Sequence, residues 1–257
     1  MRFSRLFIKK PRLLALALLP LLLIVTGFRA ALAQERSVHD MHAGMSMPMD
    51  EAADVQTKAK LLADKRESEF NHHVAGFFVV LAGLFILAEK NARERRPWIR
   101  FAWPACFVLS GVFVLVWSDT ELWPFGNQSW YFGLTHHLEV LQHKIFALLL
   151  LTVGAVEFRR ARGLLKAAWA GWIFPVLAIV GSSLLFFHDH QAGMHGPNHM
   201  ELMQRIQSEH FSFAIAGFGI GLSKGLAETK SAWSSFFERL FPALLIVLGA
   251  LLLTYVE

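Results

Sequence analysis

The side chains able to do chemistry in this chain are imidazoles and thioethers, and their placement is lopsided. His39, Met41, His42, Met45, Met47 and Met49 crowd into the stretch HDMHAGMSMPMD. His72 and His73 are adjacent, and His136, His137, Glu139 and His143 follow within eight residues. His188, His190, Met194, His195, His199, Met200, Met203 and His210 make a second dense group. Together these are all 12 histidines and every methionine after the initiator. Thioether sulfur is a soft donor suited to Cu(I), imidazole accommodates Cu(I) and Cu(II), and carboxylates such as Asp40, Asp50 and Asp189 suit the harder state. The chemistry that wants this mixture is copper binding. Imidazoles from two different helices, for example His73 or His210 with His137, His143 or His188, would also ligate a b-type haem, which has no need of the methionines.

The elements that must position these residues are apolar. Of the 257 residues, 54% are hydrophobic and only 18% charged, and the apolar ones come in long runs, which predicts an all-α, polytopic membrane helix bundle. Residues 1–33 read as a signal peptide: Arg2, Arg5, Lys9, Lys10 and Arg12, then an apolar stretch from Leu13 to Phe28, then Ala31-Leu32-Ala33 before Gln34. An uncleaved anchor is the alternative, and either places Gln34 outside the cytoplasm. Residues 34–71 form a leader and spacer, and residues 72–257 a six-helix transmembrane domain with spans near 74–89, 101–117, 137–158, 167–187, 211–226 and 239–255. Lys90, Arg93, Arg95, Arg96 and Arg100, then Arg159, Arg160, Arg162 and Lys166, then Lys224, Lys230 and Arg239 fall on one side. The positive-inside rule makes that side cytoplasmic and puts leader and C-terminus in the periplasm of a bacterial inner membrane. The net charge of +5 is thus spent on topology, and nucleic acid is a poor partner.

On this map every histidine and later methionine lies on the periplasmic side or just inside that face. Histidine avoids the bilayer centre in any case, so the absence of methionine from six apolar spans carries more weight. Met45, Met47 and Met49 alternate beside Gly44 and Pro48, so an extended chain projects three sulfurs to one side as a copper trap. From Glu51 to Phe70 the chain is charged and compatible with a helical spacer. His136, Glu139 and His143 are spaced three and four apart, which predicts one shared face of the third span over about 10 Å. His143 lies more than a turn inside that span, beside Gln142 and Lys144, a depth at which polar residues signal function. The remaining histidines at helix ends fit interfacial anchors as well as ligands.

Other features are structural. Trp98, Trp103, Trp169, Trp172 and Trp233 fall near one interface, and Trp117, Trp123, Trp130, Tyr131 and Tyr255 near the other, as aromatic belts. Gly217, Gly221 and Gly225 predict close approach of a neighbouring helix. Pro104 and Pro242 sit in or near first turns, whereas Pro175 lies deeper and predicts a kink in the fourth span. Cys106, the single cysteine, reads as inert packing. No nucleophile triad, zinc-protease motif or phosphate-binding glycine loop is present, so no enzyme is expected, although a membrane oxidoreductase using the same histidines stays open.

The helix-end histidines, the LTHHLEVLQHKIFALLLL and FFHDHQAGMHGPNHM segments and the Met/His-rich leader resemble the copper resistance protein D family of bacterial inner-membrane proteins. That resemblance covers the chain from about His72 onward and implies copper handling at the cytoplasmic membrane, with copper passed inward from a periplasmic carrier. Members often carry more than six spans, a departure that leaves room for a sensor, donor or assembly role. The partners implied are the lipid bilayer and a periplasmic copper carrier, with room for a homo-oligomer.

Overall fold

The computed structural model describes residues 49–92, 94–186, 199–229 and 231–256. Among these the chain is all-helical, with no strand beyond an isolated bridge between Leu122 and Gln128. The helices are α1 (Met49–Ala92), α2 (Ile99–Trp117), α3 (Trp130–His136), α4 (Leu138–Ala161), α5 (Ile173–Leu185, preceded by a 3-10 turn at Ala168–Trp172), α6 (His199–Glu228) and α7 (Ser234–Leu253). Residues up to Lys58 form a unit of their own, described only as the opening turns of α1, and residues from Ala59 onward form the bundle. The signal-peptide reading of residues 1–33 lies outside the described residues.

Five stretches are long and apolar enough to cross a membrane: Lys58–Lys90 within α1, Ile99–Trp117, Leu138–Ala161, Ala168–Leu185 and Ser234–Leu253. The chain is therefore a membrane protein. The remaining expected span, 211–226, is helical and packs against α5 and α7 as part of α6. Its glycines, serines and Lys224 dilute the apolar run, which is why it is not among the five.

The helices close into a ring. α2 packs on α4, α4 on α5, α5 on α6 and α6 on α7. α1 completes the circle: Phe70 meets Phe113 of α2 edge-on at 6.0 Å, while Gly76 and Gly249 let the backbones of α1 and α7 touch. A Cβ on Gly249 would lie 2.7 Å from the Val80 nitrogen, so only glycine allows this approach. The expectation for the α6 glycines holds as well, because a Cβ on Gly221 would lie 3.0 Å from the Pro175 carbonyl oxygen of α5.

The stretch from Glu51 to Phe70 is helical, as its charge pattern suggested, and continues directly into the first span within α1, with no glycine or proline to break it. Two expectations need correcting. The third span does not begin as one helix at 137. His137 is extended (φ −120°, ψ 104°), its N–H closing α3 on the Gly133 carbonyl and its own carbonyl accepting from Leu141 to open α4. α3 is held as a separate element by the Ser129 cap and by Leu122, which fills the space a Gly133 side chain would need. Consequently His136 ends α3 and does not share a face with Glu139 and His143. Pro175, finally, does not lie deep in its α-helix. It falls in the first turn of α5 after the 3-10 turn, where a missing N–H leaves no helical bond broken.

Candidate functional site

At one end of the ring, three imidazoles from three helices line a single cavity of about 260 Å³: His72 of α1, His143 of α4 and His210 of α6. Each is held through the same ring nitrogen. His72 Nδ1 lies 2.8 Å from the Ser68 carbonyl oxygen and His210 Nδ1 2.8 Å from that of Ile206, both one turn back on their own helices. His143 Nδ1 lies 2.9 Å from Asp119 Oδ1. A carbonyl or carboxylate oxygen only accepts, so Nδ1 carries the proton in all three. In a neutral ring Nε2 is then the nitrogen with the lone pair. This is the arrangement by which proteins fix the tautomer and orientation of a metal-ligating histidine.

His72 and His210 are close neighbours, with ring centroids 5.7 Å apart and planes at 88°. Tyr255, fully buried just beyond α7, stacks on His72 at 4.1 Å and meets His210 edge-on at 5.8 Å. The Tyr255 carbonyl accepts from His73 Nε2 at 3.0 Å, which gives His73 the opposite tautomer from the other three.

Behind His143 stands a buried charge cluster. Asp119 accepts from His143 on one oxygen and from Lys144 Nζ on the other at 2.6 Å, with the Ser118 hydroxyl also bonded to it. Lys144 also donates to the Leu115 carbonyl at 3.0 Å and lies 5.3 Å over the Trp130 ring. The side chains of Asp119 and Lys144 are only 4% and 7% exposed. Burial works against the Asp119 charge, but the His143 hydrogen bond and the charges of His143 and Lys144 outweigh it and hold the carboxyl below its ordinary value. The loop that presents Asp119 is tied to α1: Glu67 accepts from the Thr120 N–H at 3.0 Å and hydroxyl at 2.8 Å, and Asn71 donates to the Ser118 carbonyl at 3.0 Å.

The other predicted ligands divide in two. His136 and His137 are exposed and away from the cavity lining. His136 stacks on Phe132 at 4.3 Å, and His137 Nε2 pairs with the Gln128 side chain at 3.1 Å. Glu139 is half-buried in the first turn of α4 and carries one of the negative charges acting on His143. His39, Met41, His42, Met45, Met47, His188, His190, Met194 and His195 lie outside the described residues. Met49, His199, Met200 and Met203 fall in helices, but their side chains are outside the described set. Among the described residues no three His, Cys, Asp or Glu side chains converge closely enough to hold an ion.

Comparison with known protein families, characterised proteins and solved structures finds no match to this chain. Its chemistry therefore has to be read from its own residues.

Below the histidines the cavity is lined almost entirely by apolar side chains from all six long helices, among them Val79, Phe107, Phe146, Leu177, Phe213 and Leu248. At the opposite end of the ring a second charged group closes it: Arg160 donates to Glu157 at 2.8 Å and to Glu228 at 2.9 Å, and Lys224 pairs with Glu228. Asp119 and Ser110 carry no mark in the sequence, and Tyr255 reads there only as an interfacial aromatic. The signals were there only in part: the depth of Lys144 demanded a counter-charge, and Asp119 is the acidic residue at the end of the preceding long helix.

Proposed function

We propose that this is a copper-binding protein of the bacterial inner membrane, which captures periplasmic copper and delivers or transports it, with His72 and His210 as the first-contact pair inside the bundle. The observation that carries the reading is the common anchoring of the cavity imidazoles through Nδ1, which turns Nε2 into the coordinating atom. Two imidazoles suit low-coordinate Cu(I), and copper is here cargo. His143 stands deeper on the same cavity, with Asp119 as its orienting carboxylate. The Met-rich leader and the loop beyond His188 supply the thioethers that collect the ion, and the basic loops beside Lys90 and Arg160 orient this end to the periplasm. The resemblance to the copper resistance protein D family points the same way.

Delivery at the histidine end is favoured over a full path across the membrane. Beyond His143 the described cavity lining holds no further imidazole, thioether or carboxylate, and an ion would have to cross that apolar stretch bare.

The competing reading is a b-type haem held by two histidines. Of the histidines it would use, His73 Nε2 is bonded to the Tyr255 carbonyl, His137 Nε2 to the Gln128 side chain, and the His210 ring is packed edge-on against His72 and Tyr255. A porphyrin on His210 would have to force that aromatic group apart. The deciding experiment is a Cu(I) titration of the purified full chain against a competing chelator, with His72→Ala, His210→Ala and a deletion of the leader. Each histidine variant is expected to lose at least about 10-fold in affinity. The deletion lowers stoichiometry while the tightest site remains. Variants indistinguishable from wild type, or a sharp b-type α-band in the reduced-minus-oxidised spectrum, overturn the proposal.

A further inference from the structure

α5 has an open space against each of two faces. Its inner face, through Phe174, Ala178 and Gly181, lines the central cavity of about 260 Å³. Its outer face, together with the 3-10 turn before it, lines a groove of about 250 Å³ formed by Trp169, Trp172, Ile173 and Val176. Three of these side chains are exposed on the surface that meets lipid. Leu177 belongs to both linings, so one side chain borders the bundle interior and the bilayer at once.

The neighbours of α5 fix where this border lies. On the α6 side the helix is sealed, because Gly221 brings α6 onto the Pro175 carbonyl and Gly225 brings it onto the Trp172 ring. On the α4 side contact is looser: a Cβ on Gly181 would meet Phe146 and Leu149 side chains only at 3.4 Å. Leu177 lies one turn from Gly181 on the same face. The passage from groove to cavity therefore runs between α4 and α5.

Protein interiors hold few voids larger than a water molecule, and the walls past Leu177 suit hydrocarbon. Phe174, one turn away, meets Phe107 edge-on at 5.5 Å. Of the seven polar residues in the cavity lining, Asn71, His72, Ser118, His143 and His210 gather at the histidine end. The other two are Ser182, which donates to the Ala178 carbonyl, and Ser110, whose hydroxyl has no partner among the described residues. A hydrocarbon chain beside Ser110 displaces no hydrogen bond of the protein.

The loop leading into the groove supplies the charge. Arg159, Arg162 and Lys166 are exposed, form no ion pair among the described residues, and have no acid between them and Trp172. The nearby carboxylates of Glu157 and Glu228 are already paired with Arg160 and Lys224. Tryptophans mark the headgroup level of a bilayer, and basic clusters at that level attract anionic headgroups.

We propose that this site binds an anionic phospholipid from the leaflet at the basic end of the bundle. Its phosphate lies at Arg162 and Lys166, one acyl chain follows the outer groove along Trp172 and Val176, and the other passes Leu177 into the cavity. Two adjoining spaces call for two chains, which a fatty acid lacks, and a zwitterionic headgroup leaves the three cations uncompensated. No histidine takes part, so the site stands apart from the copper reading.

The test is equilibrium binding of phosphatidylglycerol with brominated acyl chains to the full chain in neutral-detergent micelles with metals chelated, read by tryptophan fluorescence quenching. Phosphatidylcholine with the same chains is the control. Saturable quenching is expected, with phosphatidylglycerol bound at least about 5-fold more tightly. Arg162→Gln and Lys166→Gln, on an exposed loop, are each expected to weaken phosphatidylglycerol binding about 5-fold and to leave phosphatidylcholine unchanged. Leu177→Trp, which closes the passage, is expected to weaken both lipids at least about 5-fold with helical circular dichroism unchanged. Should that variant misfold, the two loop variants still decide. Absence of saturable quenching, equal affinity for the two lipids, unchanged affinity in the loop variants, or unchanged affinity in a folded Leu177→Trp overturns the proposal. Because no metal is present, failure here and failure of the copper titration are separate results.

Discussion

Replacing Asp119 by asparagine tests the central electrostatic reasoning. Its carboxylate holds two partners at once, Lys144 at 2.6 Å and His143 at 2.9 Å, and is itself only 4% exposed. Asp119→Asn leaves the Lys144 ammonium in a buried place with only neutral partners among the described residues, the Leu115 and Val114 carbonyls, the Ser118 hydroxyl and the Trp130 ring, and it weakens the anchor of His143. Stranding one charge of a buried pair costs about 3–5 kcal/mol. Lys144→Met is expected to cost less, about 2–4 kcal/mol, because the carboxylate it leaves behind keeps the His143 N–H and the Ser118 hydroxyl. The double variant buries two neutral groups and should fall well short of the sum, with a coupling of about 2–3 kcal/mol. Reversible unfolding of the purified protein in mixed micelles measures all four corners of the cycle. Single costs that add to within about 0.5 kcal/mol would refute the claim that these charges stabilise each other. The pH dependence has a definite sign. Because the Asp119 carboxyl is held below its ordinary value of 3.8, its contribution is complete above that pH and is lost as pH falls through the lower folded-state value.

Two further perturbations follow from the packing. Glu228→Gln removes the carboxylate that serves Arg160 and Lys224 and leaves a half-buried and a buried cation with Glu157 as their remaining carboxylate among the described residues, with an expected cost of about 2–3 kcal/mol in the same unfolding assay. Burial opposes the Glu228 charge, but hydrogen bonds from Arg160 and the nearby Lys224 hold its carboxyl below 4.5. Its contribution therefore also persists above that value and disappears only in more acid solution. Gly249→Val drives a branched side chain into the Val80 nitrogen and the Gly76 carbonyl of α1, backbone atoms that cannot turn aside. A loss of about 1–3 kcal/mol or more is expected, whereas the same change at Gly163, where no atom lies within 4 Å of a Cβ, should act only through its positive φ of 71°.

Hydropathy made the helices legible because a membrane span needs a long apolar run whatever its partners. It also set the limits of the reading. α6 packs in the ring as expected, yet its run is diluted by the glycines that bring α5 close and by Lys224, whose partner Glu228 lies one turn further on. The glycine spacing on α6 could be read locally because close approach follows from one helix face alone. The break at His137 could not. It depends on Leu122 filling the space beside Gly133, a contact made by a loop and not by the helix itself. The same applies to the site. His143 drew attention by its depth, whereas Asp119, 24 residues earlier, had no local mark separating it from any loop carboxylate. His136 was assigned to the wrong face by the same blindness to tertiary packing.

The way the cavity histidines are held has a practical side. A His→Asn change keeps a short amide N–H near the position of Nδ1, within reach of the Ser68 or Ile206 carbonyl, while deleting the far side of the ring; His→Gln places its amide nearer the position of Nε2. Residues 72 and 210 are therefore sites where scaffold and reactivity come apart. An asparagine at either should leave helix geometry intact and silence the nitrogen that does the chemistry. A chain carrying such asparagines would be a well-folded but chemically mute version of this one, useful as a control that differs from it by only a few atoms.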